Sequence, residues 1–381
     1  MSKQKKRISM MSGGGLFAFL FMIALVIAGF YRFTKGLGGV SNLNDDIPWG
    51  LWIGVDVLAG VALASGGFTI AGAVYIFNLK KYKPITRAAV LTAFIGYIMV
   101  SVSIFFDIGK PQTIWHPLVL WNNQSIMFEV VWCVVIYTAV LALEFAGPFL
   151  EKVGARGLGQ IMTSKKVLIP LAIAAVILSF LHQSSMGALF LFMSSKLNHL
   201  WWTTMLPYNF FISAVAAGLA MVSFEYAVSS AVFHHPCDMG ILRGLGKGTA
   251  IVLLAYFILR IGDLIVKDNL GLMFATGPAN ILFMIEMVAL TFLPMILLFK
   301  NADSAIHIRS LLFPQSLVLL GVIMNRLNIL FLAQYRPGAS YSPSFIEWVI
   351  TIGLIATIVF VYRFSVIKLP ISYPVKIENQ P

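Results

Sequence analysis

The 381 residues are 59% hydrophobic and 11% charged with a mean hydropathy of +0.88, which excludes an ordinary soluble domain and defines a polytopic membrane protein. A net charge of +12 and an isoelectric point near 9.7 can mark a nucleic-acid binder, but in so apolar a chain excess Lys and Arg belong to loops on the cytoplasmic side of a membrane, and no nucleic acid is expected. Cys133 and Cys237 have no ligand-like spacing, so neither a disulfide framework, a zinc site, covalent haem nor an iron–sulfur cluster is expected in this chain.

Apolar runs of about 20 residues, the length that crosses ~30 Å of hydrocarbon, predict ten transmembrane helices and a single all-α integral membrane domain. The first, at 15–34, follows a basic leader (Lys3, Lys5, Lys6, Arg7) with no small-residue cleavage site behind it, so an uncleaved anchor is expected. The second, at 51–78, carries Asp56 and is interrupted by Ala64-Ser65-Gly66-Gly67. The third, at 87–106, ends on Asp107-Ile108-Gly109. It is followed by an aromatic loop at 111–124 with Trp115, His116 and Trp121, which reads as an interfacial belt or a docking surface. The fourth (126–147) holds Glu129 and Glu144, the fifth (166–190) holds His182-Gln183-Ser184-Ser185, and the sixth (207–232) holds Glu225. Arg260 and Asp263 fall in the seventh (248–267), Glu286 in the eighth (279–299), Arg326 in the ninth (310–332) and Glu347 in the tenth (346–364). No period of 20–50 residues stands out, although Phe128-Glu129 and Phe224-Glu225 hint at related halves.

Loop cations set the expected orientation. The leader, the loops at 80–87, 152–166, 243–247 and 300–309, and the tail with Arg363, Lys368 and Lys376 hold 19 Lys and Arg. The alternate loops hold 6: Arg32, Lys35, Lys110, Lys196, Lys267 and Arg336. This asymmetry predicts that both termini are cytoplasmic.

An ionisable side chain in hydrocarbon costs at least about 2.5–3.5 kcal/mol, so it must face a partner or a polar cavity. The orientation places Asp56, Glu129, His182, Arg260, Asp263, Glu286, Arg326 and Glu347 in the outer half, and Glu144 and Glu225 in the inner half. Arg260 and Asp263, three apart, share a helix face and can pair, equally as a bridge that serves packing. Glu347 is expected to be solvated at the interface. Glu144 and Glu225 can each meet a loop cation such as Lys152 or Arg243. His182 is the one histidine inside a span, because His116, His199, His234, His235 and His307 fall in loops or at helix ends. Bis-histidine haem on facing helices is therefore not expected. A polar chamber with one imidazole, carboxylates and arginine suits an organic proton-exchanging cofactor such as a quinone, since His changes charge near neutral pH. It equally suits an ion or solute pathway, and a secondary transporter stays open as the reading from another class.

The motifs 42–56 (Asn-Leu-Asn-Asp-Asp-Ile-Pro-Trp-Gly-Leu-Trp-Ile-Gly-Val-Asp), Ala64-Ser65-Gly66-Gly67, Asp107-Ile108-Gly109, Phe128-Glu129, Ala142-Leu143-Glu144-Phe145, His182-Gln183-Ser184-Ser185-Met186-Gly187 and Leu259-Arg260-Ile261-Gly262-Asp263-Leu264 together resemble the NrfD/polysulfide-reductase membrane-subunit family. Within it the nearest likeness is to the HybB-type subunit of nickel–iron hydrogenases. The resemblance implies a haem-free, quinone-reactive subunit of the bacterial inner membrane, with two four-helix bundles plus flanking helices. It implies as partners a periplasmic ferredoxin-like Fe–S subunit and the small and large nickel–iron hydrogenase subunits, and as electron acceptor or donor a menaquinone or ubiquinone. It further implies a quinone pocket of His182, Glu129, Asp56, Arg260 and Asp263, and proton transfer through Glu144 and Glu225. Related subunits serve polysulfide, nitrite, sulfite and cytochrome-linked complexes, so the same role in another Fe–S oxidoreductase is the alternative.

Overall fold

A computed structural model describes residues 10, 13–194, 196–334, 340–369 and 371. The leader cations Lys3, Lys5, Lys6 and Arg7, together with Arg336 and Lys376, lie outside the described residues. Ten helices are long and apolar enough to cross a membrane: α1 (Gly14–Lys35), α2 (Trp52–Ile76), α3 (Lys80–Asp107), α4 (Ile126–Lys152), α5 (Lys165–Met193), α6 (Leu206–Phe233), α7 (Met239–Val266), α8 (Pro278–Asn301), α9 (Ile308–Gln334) and α10 (Phe345–Lys368). No strand occurs among the described residues. Below, the end at which α2, α4, α6, α8 and α10 begin is called the outer end, after the side the cation distribution predicts for it.

Local signals start these helices. Ser125 Oγ accepts from the Phe128 amide at the head of α4, and Asp238 Oδ1 accepts from the Gly240 amide at 2.7 Å at the head of α7. At α10, Ser344 and Glu347 form a reciprocal capping box. Proline occupies the first turn of α3, α6 and α8, where the missing amide hydrogen costs nothing. α3 and α7 begin well before 87 and 248, the points at which the hydropathy rises. Their first two to three turns carry Lys81, Lys83, Arg243 and Lys247, whose long side chains can reach water from a helix already formed.

α2 is the hub. Some 78% of its most apolar window is buried, against 28–56% for the others, and it touches α3, α5, α6, α9 and α10. Spans α2 to α5 contact one another in a ring, as do α6 to α9; α1 lies against α10 at the periphery. Apolar side chains such as Phe17, Leu20, Val26 and Phe30 on α1 point away from the protein, as lipid-facing residues must. α2 is not a uniform α-helix. Wider π-helical turns run over Trp52–Ala59 and Gly72–Ile76, and the helix slackens at Ala64-Ser65.

That slack point is where α2 crosses α6. Ser65 Oγ donates to the Ala214 carbonyl at 2.5 Å, and a Cβ on Gly218 would stand 2.3 Å from Ser65 Oγ and 2.7 Å from the Gly66 amide nitrogen. Gly66 is thus taken up by the close crossing with α6, and Gly67 by contact with Ala93 of α3. Gly218→Val is expected to destabilise the protein by about 1–3 kcal/mol through overpacking, whereas Gly262→Ala, with nothing within 4 Å of the added carbon, is expected to be neutral. Thermal unfolding in detergent checks this; equal midpoints for Gly218→Val and wild type would remove the crossing as a constraint.

Candidate functional site

His182 lies past the middle of α5 and is fully buried. Its ring meets that of Tyr97 (α3) edge-on at 5.4 Å and stacks near that of Tyr137 (α4) at 6.2 Å. Nδ1 lies 3.2 Å from the Leu178 carbonyl one turn back, and Nε2 lies 2.8 Å from the Tyr97 hydroxyl. A carbonyl only accepts, so in the neutral ring Nδ1 carries the hydrogen and Nε2 accepts from Tyr97. Around this pair, Tyr137 Oη, Ser179 Oγ and both amide atoms of Gln183 are buried without a well-formed hydrogen bond among the described residues, Ser179 lying beside both phenols and Gln183 beside Tyr97. Four such atoms in one place depart from the rule that buried polar groups are satisfied.

The other expected pocket residues do not join His182 in one hydrogen-bonded constellation. Glu129 stands exposed in the first turn of α4, about 12 Å along the helix axis from Tyr137 at 1.5 Å per residue. Both nitrogens of His182 are already engaged elsewhere, so Glu129 is not its hydrogen-bond partner here. Asp56, on the outer π-helical segment of α2, faces α3 and α10 instead: its Oδ2 accepts from Thr351 Oγ1 at 2.8 Å and from Ser103 Oγ at 3.3 Å.

Arg260 and Asp263 do not pair with each other. Arg260 Nη2 donates to the Leu200 carbonyl at 2.7 Å, and its guanidinium lies 5.5 Å from the Phe283 ring centre. Asp263 accepts from Thr203 Oγ1 at 2.8 Å and forms an ion pair with Lys267 at 3.0 Å. The loop between α5 and α6 folds down on the outer end of α7, burying Leu197, Leu200 and Trp201, and it offers both residues nearer partners than each other. They clamp that loop.

The loop in turn reaches a second polar cluster. Trp201 Nε1 donates to Glu286 Oε2 at 2.9 Å, and Glu286 also accepts from Asn325 at 2.7 Å and Asn328 at 3.1 Å. Arg326, fully buried, donates to Asn325 Oδ1, to the Phe210 carbonyl at 2.9 Å and to Ser213 Oγ at 2.8 Å, and lies 3.7 Å from the Phe210 ring centre. Glu286 sits on a π-helical segment, Ile285–Phe292, and Thr291 Oγ1 bonds its carbonyl across the widened turn. Of this cluster only the two charges stand out as ionisable residues in the sequence. The asparagines were legible as polar interruptions of α9 at Asn325-Arg326-Leu327-Asn328; Tyr97 and Tyr137 carried no such signal, because tyrosine counts as half apolar.

Glu347 is fully buried rather than solvated. It accepts from the Ser344 amide at 2.8 Å, the Asn42 amide at 3.1 Å and the Tyr341 hydroxyl at 2.5 Å, so segment 40–44 is folded over it. Burial, and then this carboxylate, raise the Tyr341 phenol above its ordinary pKa and keep it a donor. Arg32, counted above among loop cations, is buried in α1 and caps the last turn of α3 by donating to the Phe106 and Ile108 carbonyls at 2.8 Å each.

Towards the inner end, Glu144 is buried with neither oxygen hydrogen-bonded among the described residues. It borders a cavity of about 20 Å³ lined also by Tyr75, Thr86, Arg87 and Pro148, room for about one water. Of the loop cations that sequence offered, Lys152 forms no ion pair with Glu144 among the described residues and Arg243 donates to the Ala305 carbonyl, while Arg87, which lines the cavity, pairs with Glu151 at 3.1 Å. Glu225 faces Thr92 of α3 and Tyr362 of α10, with Oε2 unpartnered among the described residues.

Ten long apolar helices folded around buried polar clusters define an integral, multi-pass membrane protein. Residues 39–338 match the model of the family described as polysulphide reductase, NrfD, and the chain belongs to that family. It is 37% identical over 376 residues to a protein of Nitratidesulfovibrio vulgaris, covering 96% of each chain. It is 33% identical over 352 residues to the probable Ni/Fe-hydrogenase 2 b-type cytochrome subunit of Escherichia coli, covering 91% of this chain and 88% of that one. It is 27% identical over 391 residues to the integral membrane subunit of menaquinone reductase of Nitratidesulfovibrio vulgaris, covering 93% and 90%.

Glu286→Leu is expected to cost about 3 kcal/mol or more, because it leaves three buried donors, of Trp201, Asn325 and Asn328, without their acceptor. Glu286→Gln retains two acceptor-capable contacts and is expected to cost less. Unfolding midpoints of the two variants test this, and a Leu variant as stable as the Gln variant would deny Glu286 that role.

Proposed function

We propose that this chain is a haem-free, quinone-reactive membrane subunit of a periplasm-facing, hydrogenase-type complex of the bacterial inner membrane. In this reading both termini are cytoplasmic, α2–α5 and α6–α9 are two four-helix bundles, and α1 and α10 flank them. The observation that carries it is the buried His182 cluster with its orphaned polar atoms. Tyr137 Oη–H and Gln183 Nε2–H make no well-formed hydrogen bond among the described residues, so both can turn to a carbonyl-bearing guest.

The quinone, when bound, supplies the acceptor of two electrons and two protons. His182 and Tyr97 form a proton-sharing pair beside the guest, and Tyr137 and Gln183 orient its carbonyl group. Glu129, exposed at the outer head of α4, is the carboxylate at the approach from the outer side. Asp56 is held by Thr351 and Ser103 at a similar level of α2. Arg260 and Asp263 act at a distance, by fixing the α5–α6 loop over the outer end. Glu144 with its water-sized cavity, and Glu225 beside Thr92 and Tyr362, lie on either side of α3 and serve as the inner proton-transfer groups.

The relative from Escherichia coli bears the name of a b-type cytochrome subunit. Against haem in this chain stands the engagement of both ring nitrogens of His182 and the position of the other five histidines outside the apolar cores of the spans. The same relative supports partners of the nickel–iron hydrogenase kind, joined through a ferredoxin-like Fe–S subunit. The menaquinone reductase relative favours a second reading, the same membrane role in another Fe–S oxidoreductase complex. Purification of the native complex, with identification of its chains and a haem assay, separates the two readings: nickel–iron hydrogenase chains support the first, and other Fe–S chains the second.

His182→Ala and Glu129→Gln are expected to abolish hydrogen-dependent quinone reduction while artificial-dye reduction by the catalytic subunits persists. Wild-type quinone turnover in both variants would remove the pocket. Glu144→Gln and Glu225→Gln are expected to slow proton uptake from the inner side in proteoliposomes roughly 10²-fold or more, the scale of a lost acid–base group, with quinone affinity retained; unchanged proton uptake would make these carboxylates structural.

A further inference from the structure

At the inner end, α2, α5, α6 and α7 leave a groove of about 310 Å³ that the redox reading does not use. Its floor is apolar: Phe68 and Ile70 of α2, Val176 of α5, Val215 and Leu219 of α6, and Leu245 of α7. The groove exists because side chains are missing along it. Gly72 opens the inner π-helical segment of α2, and Gly244 and Gly248 stand one turn apart on the facing side of α7. From the floor the groove runs toward the inner end of the bundle, where Phe77 and Leu79 are exposed.

Its mouth is polar and positive. The Tyr82 hydroxyl and the Lys81 ammonium stand over Gly244, at 2.3 and 3.2 Å from where a Cβ would be. Lys81 forms no ion pair among the described residues: Arg87 takes Glu151, Lys247 takes Asp303, and Asp238 next to it caps α7. Lys80 and Lys83 flank it in sequence. An unpaired cation and a hydroxyl donor at the head of an apolar channel match one kind of occupant in a bilayer, an acyl chain bearing an anionic headgroup. Zwitterionic lipid would fill the channel and offer Lys81 a phosphate equally well, but it would bring its own headgroup ammonium against the cluster of Lys80, Lys81 and Lys83, which a lipid of net negative charge does not.

We propose that this groove is a specific site for an anionic phospholipid of the inner leaflet, with one acyl chain lying between α2 and α7 and the phosphate held by Lys81 and Tyr82. The site seals the seam where α2 and α5 meet α6 and α7.

Native mass spectrometry of the full-length protein, delipidated in detergent and titrated with phosphatidylglycerol or phosphatidylethanolamine, tests this. The expected result is at least fivefold tighter retention of phosphatidylglycerol by the wild type. Lys81→Gln is expected to abolish that preference and leave residual binding of both lipids. Ala73→Phe, which fills the groove from α2, is expected to remove the bound species altogether. Both substitutions lie on the lipid-facing side, and a size-exclusion profile like that of wild type shows that each folds. Equal affinity of wild type for the two lipids overturns the headgroup assignment, and wild-type phosphatidylglycerol binding by Ala73→Phe overturns the groove.

Discussion

A polar group inside hydrocarbon has no water to turn to, and this structure is arranged around that fact. The buried charges of the outer half draw their hydrogen bonds from neighbouring helices and loops. Asp56 takes hydroxyls from α3 and α10, Glu286 takes an indole and two amides, and Arg326 takes a carbonyl, a hydroxyl and an aromatic face. Polar atoms without a partner among the described residues remain beside His182 and at Glu144 and Glu225, and also at Asn209, Arg260, Gln315 and Arg326. In a bilayer such atoms carry more weight than in a soluble protein, where water is near.

Satisfying those groups demands departures from regular helix. Asp56 and Glu286 both sit on π-helical segments, one on α2 and one on α8. A wider turn changes which side chains face the interior and frees a backbone carbonyl, and at Glu286 the Thr291 hydroxyl takes the freed carbonyl. The close crossing at Ser65 and Gly218 serves the same end. It draws α2 against α6, so that the helix carrying Asp56 also makes the seam between the two rings of spans.

Several readings made from spacing alone were replaced by contacts from distant parts of the chain. Arg260 and Asp263 are rightly placed on one helix face, but the loop from 194 to 205 comes between them in energetic terms, because Leu200 and Thr203 approach closer. Glu347 is near a helix end, where solvation is the ordinary expectation, yet segment 40–44 and Tyr341 close over it from outside the helix. His182 was recognisable as the odd residue of its span. Its true neighbours were not, because Tyr97 and Tyr137 sit in spans whose hydropathy they barely disturb.

Composition and the length of apolar runs determined by themselves that this chain is an all-helical membrane protein with ten spans, since crossing hydrocarbon leaves the backbone few other choices. The motifs around Asp56, His182 and Arg260 were enough to identify the NrfD family, because they recur in a fixed order. Which buried groups pair, which remain open and where the helices touch was decided only by tertiary structure. The reason is physical: along one helix, sequence spacing fixes direction, but the partners here come from residues tens to hundreds of positions away, and only packing brings them within hydrogen-bonding distance.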